Sequence, residues 1–145
     1  MISEDYVSYE TAKLLKEKGF DELCPTFYEI DEPNSGPRYS EKLGWFLHNS
    51  YDYSDRHGKM IISAPTLQMA MKWLREVRHW HIFVIPRWED VEYMPGEWQE
   101  EMTGYQYVIV SVGEVNRKNE QPITKALTPE SAYEAAIKYC LENLI

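Results

Sequence analysis

The chain has 145 residues, 43% of them hydrophobic, which fits one domain spanning 1–145 with a buried core and argues against global disorder. Its formal charge of −9 argues against ordinary nucleic-acid binding, which needs a cationic footprint, and against docking on anionic membranes. Trp 5, Tyr 11 and Phe 4 are more rings than a domain of this size can bury completely, so some tyrosines are expected at the surface.

The opening Met1-Ile2-Ser3-Glu4-Asp5 is acidic and has no hydrophobic run, so it does not read as a signal peptide. No segment has the apolar length needed to span a bilayer. The expectation is a cytoplasmic protein with Cys24 and Cys140 as reduced thiols. Ser8 is a good N-cap, Glu10 suits a first turn, and Lys13, Lys16 and Lys18 suit the far end of a helix over Tyr9 to Lys18. Ala12, Leu15 and Leu14 should face inward. Gly19 closes the helix, and Phe20 should pack back on its last turn.

Pro25 to Ile30 reads as a strand and Asp31 to Pro37 as a turn or loop. Leu43 to His48 is a second candidate strand. Asn49 to Gly58 is polar and tyrosine-rich, the composition of a surface loop. Met60-Ile61-Ile62 can add a short strand before the central helix. There Ser63 or Ala64 reads as the cap and Pro65 as a first-turn residue. Leu67, Ala70, Met71, Leu74 and Val77 share one face, widened by Met69 and Trp73. At this spacing such a stripe is more often core than partner groove.

Trp80 to Ile85 is the best strand in the chain, with Pro86 as its expected end. Tyr105 to Val112 is its expected antiparallel partner. The acidic segment between them, with the turn signal Met94-Pro95-Gly96-Glu97-Trp98, reads as a long hairpin loop, shorter if Trp88 to Tyr93 extends the first strand. The last helix starts at Thr128-Pro129-Glu130, and Tyr133, Ala136, Ile137, Cys140, Leu141 and Leu144 form its stripe. Cys140 therefore reads as a core residue, not a nucleophile. The predicted fold is α+β: a single layer of antiparallel or mixed sheet, about four to five strands, packed with three helices.

Recognisable chemistry is sparse. His79 and His81 on one strand face are a weak candidate metal pair. Asp55-Arg56-His57 resembles a catalytic trio only superficially, because adjacent loop residues rarely converge on one substrate atom. There is no GxSxG elbow and no glycine-rich phosphate loop, so no cofactor is expected. The charge, by contrast, is concentrated: Glu89, Asp90, Glu92, Glu97, Glu100 and Glu101 form an acidic block. Trp88, Trp98, Tyr51, Tyr53, Tyr39 and Tyr93 fall in the expected loops. There they either cap the core or form a protein-binding patch.

Ser63 to Val77, Tyr133 to Ile145 and Val7 to Phe20 together resemble a family of small uncharacterised proteins carried by prophages and mobile elements of anaerobic gut bacteria. The resemblance covers the three helices, under a third of the chain. It implies a phage or mobile-element setting and intracellular action, but carries over no functional residue. The leading expectation is a non-enzymatic accessory protein that binds a protein partner through Trp88, Glu89, Asp90, Tyr93, Trp98, Tyr51 and Tyr53. Its rivals are an acidic nucleic-acid mimic that inhibits a host DNA-binding protein, and an enzyme with a site centred on His57, His79 or His81.

Overall fold

A computed structural model of the chain describes residues 4–30, 32–39, 61–113, 119–120 and 125–145. Helix α1 covers Tyr9–Glu17, and the Ser8 side chain caps it by accepting the Thr11 N–H. Strand β1 (Thr26–Glu29), a 3-10 turn (Pro33–Ser35), β2 (Arg38–Tyr39) and β3 (Ile61–Ser63) follow. Helix α2 is Leu67–Val77, and β4 (Trp80–Met94) and β5 (Glu97–Ser111) form a long hairpin. A short β6 (Asn119–Glu120) and helix α3 (Pro129–Asn143) complete the chain. The expected strand over Leu43–His48 and the expected loop over Asn49–Gly58 lie outside the described residues.

The fold is α+β, but the strands do not form the expected single layer. Among the described residues they form two antiparallel sheets, ordered β2-β1-β3 and β4-β5-β6. Strand β3 pairs with β1 over three residues and is followed by Ala64-Pro65, where proline offers no N–H to extend a ladder. Strand β4 instead pairs with its immediate successor across a two-residue turn, the most local partner available. Hydrophobic pattern marks which segments are extended, not which of them pair.

Helix α3 is the hub. It packs against α1, α2, β4 and β5, while α2 also meets β4 and α1 meets β3. Leu15, Phe20, Leu74, Ile109, Ile137 and Leu141 are fully buried in the common core. The Glu134 carboxylate on α3 ties it to α1, accepting the Ser8 N–H at 3.0 Å and the Thr11 hydroxyl at 2.6 Å. At the surface of the same pair, Lys138 Nζ lies 3.0 Å from Glu10.

Two details of α2 differ from expectation. Its cap is Thr66, which accepts the Met69 N–H at 3.1 Å, and not Ser63 or Ala64. Ser63 belongs to β3, and Ala64 still donates its N–H to Thr26, so the chain stays extended until Pro65. Val77 is 50% exposed, whereas Trp73 is buried. The Trp73 indole meets Phe20 edge-on at 5.5 Å and carries the Arg78 guanidinium over its face at 5.4 Å. Helix α3 agrees with expectation: Thr128 caps it, Pro129 sits in the first turn, and Ala136, Ile137, Cys140 and Leu141 are buried.

Candidate functional site

The β4–β5 hairpin has a buried root and an exposed arm. At the root, Ile82 pairs with Ile109 and Val84 with Tyr107, and this face packs on the helices. Pro86 does not end the strand as expected. It pairs with Tyr105, whose own N–H and C=O both bond Ala126 on its other side. The ladder therefore asks no N–H of Pro86, and the strand runs through it.

One residue of β5, Thr103, has no counterpart on β4, because the register shifts between Arg87–Gly104 and Trp88–Met102. Such a bulge bends the ribbon and sharpens its twist. Just below it, Gly104 has φ 152° and lies against the Ala126 carbonyl. From the bulge outward the register is regular for five pairs, from Trp88–Met102 to Glu92–Trp98. A second irregularity sets Tyr93 apart, and Pro95-Gly96 makes the turn with Gly96 at φ 80°. Every residue from Glu92 to Met102 is exposed.

Of the two expectations for the acidic segment, the long loop does not hold and the extension of the first strand over Trp88 to Tyr93 does, since β4 runs to Met94 and pairs with β5. Trp88, Glu89, Asp90 and Tyr93 lie on β4 and Trp98 lies on β5. Backbone hydrogen bonds hold a ladder whatever the side chains are, so charge density alone does not make a loop. Tyr39 likewise lies on a strand, β2, and is exposed. Tyr51, Tyr53 and the Asp55-Arg56-His57 trio lie outside the described residues.

Because side chains alternate along a strand, the register sorts the arm into two faces. One face carries three successive cross-strand pairs: Trp88 with Met102, Asp90 with Glu100, and Glu92 with Trp98. The other carries Glu89 with Glu101 and Val91 with Gln99. Trp88 is 55% exposed, Trp98 62% and Met102 47%. Two methionines, Met94 and Met102, join the site without having been expected there. For Met102 the period-two pattern Trp98-x-Glu100-x-Met102 is the signal that could have shown it.

The two faces also differ in charge balance. Glu89 is paired with Arg87 at 3.0 Å and with Lys125 at 3.3 Å. The Thr103 hydroxyl lies near this carboxyl without a formed hydrogen bond, and with Lys125 and Arg87 it draws the group down to about 2. Gln99 donates to Glu101 on the same face. Across the ribbon, Asp90 and Glu100 oppose each other with no ion-pair partner among the described residues. Near the tip, Glu92 accepts the Gly96 N–H at 2.7 Å, and Glu97 accepts the Tyr93 hydroxyl at 2.6 Å. That bond to Glu97 raises the Tyr93 phenol above its usual range.

The histidine pair does not share a strand face. His79 precedes β4 with φ 64°, a left-handed link between α2 and the strand, and is exposed. His81 is on β4, and its ring lies 4.3 Å from that of Phe83. Among the described residues, no group of three or more His, Cys, Asp or Glu side chains is placed to hold a metal ion. Likewise, no helix there is long and apolar enough to cross a membrane.

Comparison of the chain with protein-family models, with curated proteins and with solved structures gives no significant match.

Proposed function

We propose that this is a non-enzymatic binding protein whose projecting β-hairpin engages a protein partner. The observation that carries the reading is the arm itself. About eight residues of each strand extend past the root, roughly 25 Å at the usual rise per residue. They bear two exposed tryptophans, two exposed methionines and six carboxylates. A hydrophobic core gains nothing from tryptophans held in water, whereas Trp ranks among the strongest contributors to protein interfaces. We place this activity in a phage or mobile element, the setting implied by the resemblance of the three helices.

Nucleic-acid mimicry is supported less well. A mimic needs a continuous ladder of unneutralised charge along one ridge. Here the acids divide between two faces, Glu89 is paired by the chain's own cations, and Asp90, Glu92 and Glu100 share their face with two indole rings.

The test is affinity capture from the host cell with the full chain and with Trp88→Ala/Trp98→Ala. The full chain should retain a specific protein that the double variant loses, while both keep the same circular dichroism and melting temperature. Equal capture by a folded double variant would overturn the reading.

A further inference from the structure

The two faces of the arm are unlike, and the difference indicates what the partner brings. On the Glu89 face the chain supplies its own cations, Arg87 and Lys125. On the Trp88–Trp98 face the described residues supply none to Asp90 and Glu100, although like charges directly opposite each other weaken a ladder. The large exposed rings lie on that same unneutralised face. Two independent features, exposed indole surface and negative charge that the described residues do not compensate, therefore coincide there and are separated from the self-neutralised side.

Resting on the protein-binding reading above, we propose that the Trp88–Trp98 face takes an extended, arginine-rich segment of the partner. Three layers succeed one another along this face: indole with thioether, two carboxylates, carboxylate with indole. Successive layers are about 7 Å apart, the two-residue repeat of a strand. An extended peptide presents alternate side chains with the same repeat, so arginines at every second position meet each layer in turn. A guanidinium suits both kinds of layer. It stacks flat on an indole and pairs its planar fork with carboxylates, whereas an ammonium is a compact, strongly hydrated charge that does the first less well and cannot do the second bidentately. A second copy of this chain is the wrong occupant, because it would bring carboxylates against carboxylates at a net charge of −9 per copy.

The test titrates the full chain with three blocked synthetic peptides of equal charge: alternating Arg-Ser, alternating Lys-Ser, and a block of four arginines followed by four serines. Affinity is read by calorimetry and by tryptophan fluorescence at physiological ionic strength. The alternating arginine peptide should bind about tenfold or more tighter than either of the others. Asp90→Asn/Glu100→Gln and Trp88→Ala/Trp98→Ala should each weaken it about tenfold, and Glu101→Gln/Gln99→Ala on the opposite face should leave it within about twofold. Equal affinity for the arginine and lysine peptides, equal loss from the opposite-face variant, or no binding would overturn the proposal. If capture of a host protein still depends on Trp88 and Trp98 after such a result, the arm remains the binding element and only the arginine-rich occupant is refuted. If capture ignores those tryptophans, both readings fall.

Discussion

The arm can point in one direction only if its root is rigid, and Gly104 is where that rigidity can be tested. Its φ of 152° is one that L side chains rarely adopt, and a Cβ at this position would lie 2.6 Å from the Ala126 carbonyl oxygen. That oxygen is the acceptor for the Tyr105 N–H at 2.8 Å, and Ala126 returns a bond to Tyr105 at 3.0 Å. Gly104→Ala therefore carries two costs. The backbone cost of an L-residue at positive φ is about 1–2 kcal/mol. Displacing Ala126 weakens two hydrogen bonds at the sheet edge, each with a net worth of about 0.5–1.5 kcal/mol. The sum is about 2–5 kcal/mol, a fall in melting temperature of roughly 5–15 °C for a domain of this size. Gly96, on the same hairpin, is the control. Its φ is 80°, and a Cβ there would meet nothing within 4 Å. Gly96→Ala thus carries only the backbone cost of about 1–2 kcal/mol. Urea denaturation of both variants measures the difference. If Gly104→Ala costs no more than Gly96→Ala, the close approach of Ala126 does not fix the root, and the reasoning fails.

Removing the Glu134 carboxylate in Glu134→Ala should cost about 1.5–3 kcal/mol, since it takes a charged acceptor from the N-terminus of α1. Glu134→Gln, which keeps one acceptor oxygen, should cost less, and a denaturation loss below about 0.5 kcal/mol for the alanine variant would refute the tie. Glu89 is an acid whose folded value, about 2, lies below its ordinary 4.5. Its stabilising contribution is therefore fully present above pH 4.5 and is lost as the pH falls through about 2. A carboxyl NMR titration should show a midpoint near 2 that rises in Lys125→Ala; an unchanged midpoint would sink the assignment of Lys125. Burial pushes the Cys140 thiol up to about 12, and burial also raises Cys24. Both should ignore a thiol-specific dye at about pH 8 in the native state and react fully in urea; rapid reaction of Cys140 in the folded protein would contradict its place in the core.

The helices are legible in the sequence because their signals are local. Ser8 and Thr128 are caps with a helix directly behind them, and the apolar spacing of α3 names its buried residues almost one for one. The start of α2 lies later than the sequence suggests for an equally physical reason. Ser63, Ala64 and Thr66 surround one proline, and non-local bonds keep the chain extended as far as Thr66: Ala64 N–H to Thr26, Val7 N–H to Pro65 and the Tyr6–Thr66 bridge. Trp73 is buried as the widened stripe suggests, enclosed by Phe20 and by Arg78 at the C-cap of α2, whereas Val77 in the last turn is exposed. The split into two sheets is not legible at all, since pairing depends on partners and not on pattern.

The arm is where the sequence misleads most. Six acids between Glu89 and Glu101 resemble a solvated loop when charge density is read by itself. The alternation Trp88-x-Asp90-x-Glu92 and the turn Pro95-Gly96 carry the competing signal, and the backbone ladder decides in its favour. A strand that opposes Asp90 to Glu100 and leaves Trp88 and Trp98 in water sets local preference against fold. In the helices, most apolar side chains go inward, Val77 excepted, and the caps Ser8, Thr66 and Thr128 meet their amides. On the arm, the described residues neutralise Glu89 and leave the Asp90–Glu100 pair behind it uncompensated. The like-charged Asp90–Glu100 pair and the exposed Trp88 and Trp98 share one face of the arm, and the proposed cationic partner rests on that coincidence.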